Sequence, residues 1–266
     1  MNQVTWIRIF FSLAFLLAGN NLSSGQATDQ LDESFLDSYR EAAVERWEKE
    51  IQRLEKLNES ETHPEDSILF LGSSSIRRWD KIAVDMAPYH PIQRGYGGSK
   101  YSNVAIFSKR LIRPHSYRAV VIFVGNDISG KTTDNTPDEV EQFIRHVIAV
   151  SKAHQPDAPV LLIEVTPTAK RWAVWPKIRE LNARIREIAL STPSTYFIAT
   201  AEQYLDPDSQ PRTELFVSDE LHLNDEGYKL WSSIIRQRLD EVLRMETEYQ
   251  AQQAAENDAD GSSGQK

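Results

Sequence analysis

The chain has 266 residues, 40% of them hydrophobic, enough to bury one sizeable core. Its formal net charge of -9 argues against nucleic acid as a partner, because phosphates are held by clustered Lys and Arg. With no Cys there is no thiol nucleophile, thiolate metal site or disulfide, and no pair among the six His has the spacing of a two-His helical metal site.

Arg8 precedes the apolar run Ile9 to Ala18, and small or polar residues follow. The run has about the length of a signal-peptide core and is short for a membrane span. Cleavage near Gly25 or Ala27 would remove residues 1–27 and leave an exported protein, periplasmic or extracellular, with no stable membrane anchor. An uncleaved anchor or a buried helix is the alternative reading.

A helix is expected over 31–57, where Phe35, Tyr39, Ala43, Trp47, Ile51 and Leu54 recur at steps of four and three. Its simplest role is to lie across the outside of the domain. Ile68-Leu69-Phe70-Leu71 then reads as a buried strand closed by Gly72, and Ser73-Ser74-Ser75 occupy the junction where a helix can begin. Such a junction is where parallel α/β sheets place ligands, and a serine there has free backbone N–H groups beside it. A plain helix cap is the competing reading.

Residues 86–100 are rich in Pro and Gly, with Ile92-Gln93 as a short second strand and Gly95-Tyr96-Gly97-Gly98 as a turn or a close approach to ligand. A helix through Val104, Phe107 and Leu111 ends at Pro114. Ala119 to Val124 is the clearest buried strand, and it runs into Gly125-Asn126-Asp127. An amphipathic helix follows Pro137, with Val140, Phe143, Ile144, Val147 and Ile148 on one face. Strand Val160 to Val165, a helix over 172–190 and strand Thr195 to Ile198 complete the alternation. Alternating strands and helices argue for a parallel sheet covered on both faces, in one domain over 28–246. Asn224 caps a closing helix to Met245, and the polar tail over 247–266 is expected to fray and be disordered.

Just before that helix stands Asp219-Glu220-Leu221-His222. An Asp three residues before a His on a turn can accept from one ring nitrogen and leave the other free as a base; ordinary loop polarity is the alternative. The blocks Gly72-Ser73-Ser74, Gly97-Gly98, Gly125-Asn126-Asp127 and Asp219-x-x-His222 occur in that order, each past a strand or before the closing helix. Together they resemble the SGNH (GDSL-type) hydrolase family of serine esterases, over about 68–235. Ser73 stands where the family usually has Asp, and Val124 where a Gly often precedes Gly-Asn-Asp.

The resemblance implies a three-layer αβα sandwich with a flavodoxin-like parallel sheet. It implies Ser74 as nucleophile, His222 as base and Asp219 as its orienting partner. The oxyanion hole would be Ser74 N–H, Gly98 N–H and the Asn126 amide. Asp127 would hold its loop. No metal or other cofactor is called for. Ile76 stands where the α/β-hydrolase elbow needs a Gly after the nucleophile, which disfavours that scaffold. Trp172 and Trp175 could border the cleft and stack on substrate, or could pack the start of the next helix. The expected activity is cleavage of carboxylic esters, O-acetylated carbohydrate or short-chain lipid esters among them, through an acyl-serine intermediate. An acyltransferase on the same scaffold and a non-catalytic carbohydrate-binding domain are the alternatives, and oligomeric state is open.

Overall fold

The computed structural model of the protein describes residues 32–263; the expected export signal over 1–27 lies outside them. Five parallel strands form one sheet: β1 (Ile68–Gly72), β2 (Pro91–Gly95), β3 (Ala119–Phe123), β4 (Val160–Ile163) and β5 (Thr195–Ile198). Their order is β2-β1-β3-β4-β5, the flavodoxin-like arrangement, in which the strand order reverses between β1 and β3. The two strands align Gly72 with Phe123, so both chains leave the sheet side by side.

The strands are apolar on both faces because both faces are covered. Leu69 and Leu71 of β1, Val120 and Ile122 of β3, and Val160 and Leu162 of β4 point into one core. Helices α1 (Asp37–Leu57), α4 (Tyr101–Ile112), α5 (Pro137–His154) and α6 (Trp175–Ser191) close that core. Their neighbours Ile68, Phe70, Val121, Phe123, Leu161 and Ile163 point the other way, against the short helices α2 (Ser74–Arg77) and α3 (Ile82–Asp85) and against α7 (Asp225–Ser263). This is the alternation of side chains along a strand, applied to two cores at once.

Three helix ends differ from the sequence expectation: α6 starts at Trp175, after a 3-10 segment over Ala169–Val174, and not at 172. The first helix begins as a tight turn over Ser34–Leu36 before α1 proper, with Asp32 accepting from Ser34 N–H at 3.0 Å. The closing helix continues to Ser263 instead of giving way to a disordered tail at 247. From Thr247 on the chain is rich in Glu, Gln and Ala, which favour helix on propensity alone, and its side chains through 257 are exposed. The polarity that suggested disorder is therefore the polarity of a helix without a packing partner. Among the described residues no helix is long and apolar enough to cross a membrane.

Candidate active site

Gly72 ends β1 directly beside Phe123, the last residue of β3. A Cβ on Gly72 would lie 1.9 Å from the Phe123 carbonyl oxygen, so no other residue fits there. Ser73 N–H donates to that same carbonyl at 2.9 Å, and the chain turns at once into α2. The turn separates the three serines. Ser73 is buried, and the Ser75 carbonyl accepts from the Tyr228 hydroxyl at 2.8 Å. Ser74 Oγ lies 2.9 Å from His222 Nε2.

His222 is carried by a small hairpin in which Phe216 and Leu223 bridge and Val217 N–H donates to the His222 carbonyl at 2.9 Å. Asn224 closes the hairpin onto α7: its amide donates to Glu214 and Phe216 carbonyls, and its oxygen accepts from Gly227 N–H at 3.0 Å. The hairpin also sets Asp219 beside the imidazole, with Oδ2 2.7 Å from His222 Nδ1. Burial pushes the Asp219 carboxyl up. The backbone and side-chain donors of His222 and the Leu221 N–H outweigh burial and hold it down at about 2. An ionised carboxylate can only accept, so Nδ1 carries the proton and Nε2 presents its lone pair to Ser74.

Asn126 follows β3. Arg171 donates to its Oδ1 and to the Gly125 carbonyl. A guanidinium has donors only, so this contact fixes which end of the amide is which. The Asn126 NH₂ gives one hydrogen to the Ser99 carbonyl at 3.2 Å and keeps the other. Gly98 stands opposite with φ +73°, a conformation that glycine adopts without strain. Its N–H has no acceptor among the described residues, and Ser74 N–H, first in its helix, has no partner within it. Asp127, fully buried, accepts from Tyr101 N–H at 3.1 Å and from Asn135 at 2.9 Å, which anchors the loop that carries Asn126.

Two spaces meet at Ser74. One is a tight, partly open cavity of about 30 Å³ bounded by Phe123, Val165, Thr166, Arg171, Phe216 and Trp231. The other is an open groove of about 580 Å³ between the Gly97-Gly98 turn and α1.

Ser74, Gly98, Asn126, Asp219 and His222, drawn from four separate stretches, thus converge on one spot. Trp172 and Trp175 do not join them. They stack on each other with centroids 6.0 Å apart, Trp175 buried at the start of α6 and Trp172 packed against the same core. Neither lines the spaces at Ser74. Two arginines take positions for which sequence reasoning assigned no role. Arg78 Nη1 donates to Asp219 Oδ2 at 3.3 Å; its one hint in the sequence is its place one helical turn after Ser74. Arg171 clamps Asn126 from 45 residues away, and nothing local announces it.

The chain shares its fold with several solved structures. A protein of Streptococcus pneumonia provisionally assigned as a platelet activating factor superposes with a TM-score of 0.66 at 19% identity, covering 76% of this chain and 96% of that one. A GDSL-like lipase of Bacteroides thetaiotaomicron gives 0.62 at 22%, covering 72% and 97%. A family 3 carbohydrate esterase of Talaromyces cellulolyticus gives 0.52 at 15%, covering 67% and 98%. At these identities the likeness is one of fold. No curated protein matches the chain by sequence. The family description GDSL-like Lipase/Acylhydrolase matches residues 66–230, from just before β1 into α7. That span is more than half of the chain and includes every block from Gly72 to His222, so the protein belongs to the GDSL-like lipase/acylhydrolase family.

Proposed function

We propose that the protein is an exported serine esterase that removes short acyl groups through an acyl-serine intermediate. The observation that carries this reading is the hydrogen-bonded series Ser74 Oγ, His222, Asp219, at 2.9 and 2.7 Å, beside a tight cavity of about 30 Å³. In the first step Ser74 Oγ attacks the ester carbonyl carbon and His222 Nε2 takes its proton. Negative charge gathers on the former carbonyl oxygen, where Ser74 N–H, Gly98 N–H and the spare Asn126 N–H converge. Collapse of this adduct breaks the bond to the alcohol oxygen, which leaves with the proton from His222. Water then repeats the sequence on the acyl-serine and frees the acid.

This cavity is much the tighter of the two spaces at Ser74, about 30 Å³ against about 580 Å³, which favours a short acyl group such as acetyl over a long chain. Export rests on the apolar run after Arg8. A series of p-nitrophenyl esters from acetate to octanoate tests the reading: kcat/KM should be highest for acetate and fall with each added pair of carbons. Equal rates across the series would refute the small acyl site, and turnover of no ester would refute the esterase. Retention of the acyl group by an added acceptor sugar, in place of free acid, would instead make the protein a transferase.

A further inference from the structure

The open groove on the other side of Ser74 has a charge character opposed to that of the chain. It is lined by Arg46, Trp47, Lys49 and Glu50 of α1, by Arg77 of α2, and by the Gly97-Gly98 turn. Glu50 is already engaged, by Arg53 at 2.9 and 3.1 Å. Arg46, Lys49 and Arg77 have no carboxylate within 4.0 Å and no side-chain hydrogen bond among the described residues. Solitary surface cations are ordinary, since water solvates them well. Here two of the three are set against the reaction centre. A Cβ on Gly97 would lie 3.0 Å from Arg77 Nε, and one on Gly98 would lie 3.8 Å from an Arg46 Nη. The Arg46 guanidinium is also seated over the Trp47 ring, 4.7 Å from its centroid, which limits its freedom. The tighter cavity suits the acyl end, so the wider, more open groove takes the alcohol end, which needs an exit to solvent.

Granted the esterase reading, we infer that the alcohol half of the natural substrate carries an anionic group, a carboxylate or a phosphate, near the ester oxygen. Arg46, Lys49 and Arg77 bind that group. An acidic chain of net charge -9 would otherwise repel such an ester, and three cations at the groove reverse the local sign. The helix that carries two of them, α1, is then a wall of the binding site as well as a cover for the core.

The test compares three acetyl esters with similar leaving groups: meta-acetoxybenzoate, meta-acetoxyphenyl phosphate and neutral meta-acetoxybenzamide. At low salt kcat/KM for the better anionic ester should exceed that for the amide by about tenfold, the combined effect of three individually weak exposed contacts. The ratio should shrink toward one at about 0.5 M NaCl, where such contacts are screened. Whichever anion is favoured identifies its chemistry as carboxylate or phosphate. In the triple variant R46Q/K49Q/R77Q the ratio should fall near one, and in Lys49→Gln, at an exposed position, by about twofold. A wild-type ratio of one or less, or an undiminished ratio in the triple variant, overturns the inference. If the wild type hydrolyses none of the esters, the esterase reading fails by itself. The groove is then judged by calorimetry with meta-hydroxybenzoate against meta-hydroxybenzamide, under the same criteria.

Discussion

Replacing Asn126 separates chemistry from structure at one side chain. Its amide has three uses for its atoms: Oδ1 accepts from Arg171, one N–H goes to the Ser99 carbonyl, and the other is the donor proposed for the oxyanion. Asn126→Ala removes all three. Loss of one oxyanion donor costs about 10²–10³ in kcat, roughly 2.7–4 kcal/mol of barrier, with KM little changed. Stability should fall as well, by about 1–2 kcal/mol, because Arg171 keeps its contact to the Gly125 carbonyl but loses one of two acceptors. Asn126→Asp tells the two effects apart. It keeps an acceptor for Arg171, now as an ion pair, while setting a second carboxylate oxygen against the Ser99 carbonyl. It should therefore be at least as stable as the alanine variant. It has no N–H to offer and brings negative charge toward the oxyanion, so its kcat should fall as far or further. Steady-state kinetics on p-nitrophenyl acetate and thermal melts of the three proteins provide the measurements. If both variants keep kcat within threefold of wild type, or lose only KM, Asn126 is no oxyanion donor and the proposed geometry of the transition state is wrong.

Ser74→Ala should abolish turnover and fluorophosphonate labelling while the protein stays folded, whereas Ser73→Ala and Ser75→Ala should keep much of both; a label mapped to either neighbour would contradict the 2.9 Å contact with His222. Asp219→Asn should lower kcat by about a hundredfold or more, less than the ~10⁴ of a fully buried triad acid because the Asp219 side chain is 41% exposed. With its carboxyl held down at about 2 from 3.8, Asp219 contributes stability that is present above about pH 4 and lost as pH falls through 2. Discounted for the exposure of the carboxylate, the shift corresponds to about 1 kcal/mol, so acid melts of wild type and Asp219→Asn should differ by about that much at pH 5 and converge near pH 2. Gly72→Ala should fail to fold, since its methyl would need the space of the Phe123 carbonyl; a soluble, active variant with an unshifted melt would show that β1 and β3 separate more easily than their packing implies.

Short-range pattern was enough for a parallel sheet covered on both faces, while the flavodoxin-like arrangement came from the family resemblance. Apolar runs of four to six residues marked β1, β3, β4 and β5, and the spacing of Phe143, Ile144, Val147 and Ile148 marked α5, because a strand or helix face is written within a dozen residues. The blocks around Ser74, Asn126 and His222 stood out locally as strand ends and a turn before a helix, and the resemblance to the SGNH family supplied their roles. What the chain alone left open depends on contacts made across long separations. Spacing leaves three adjacent serines equivalent, and only the family resemblance picks Ser74; in the fold the Phe123 carbonyl holds Ser73 and the turn into α2 aims Ser74 at a residue 148 positions away. Arg171 and Arg78 acquire partners only when the loops after β4 and before α7 are folded over the sheet edge. Trp172 and Trp175 had a local sequence compatible with a cleft, and core packing took them instead. The wall that α1 forms beside the catalytic turn is likewise invisible in its heptad-like spacing, because an exposed face reads the same whether it meets bulk water or a substrate.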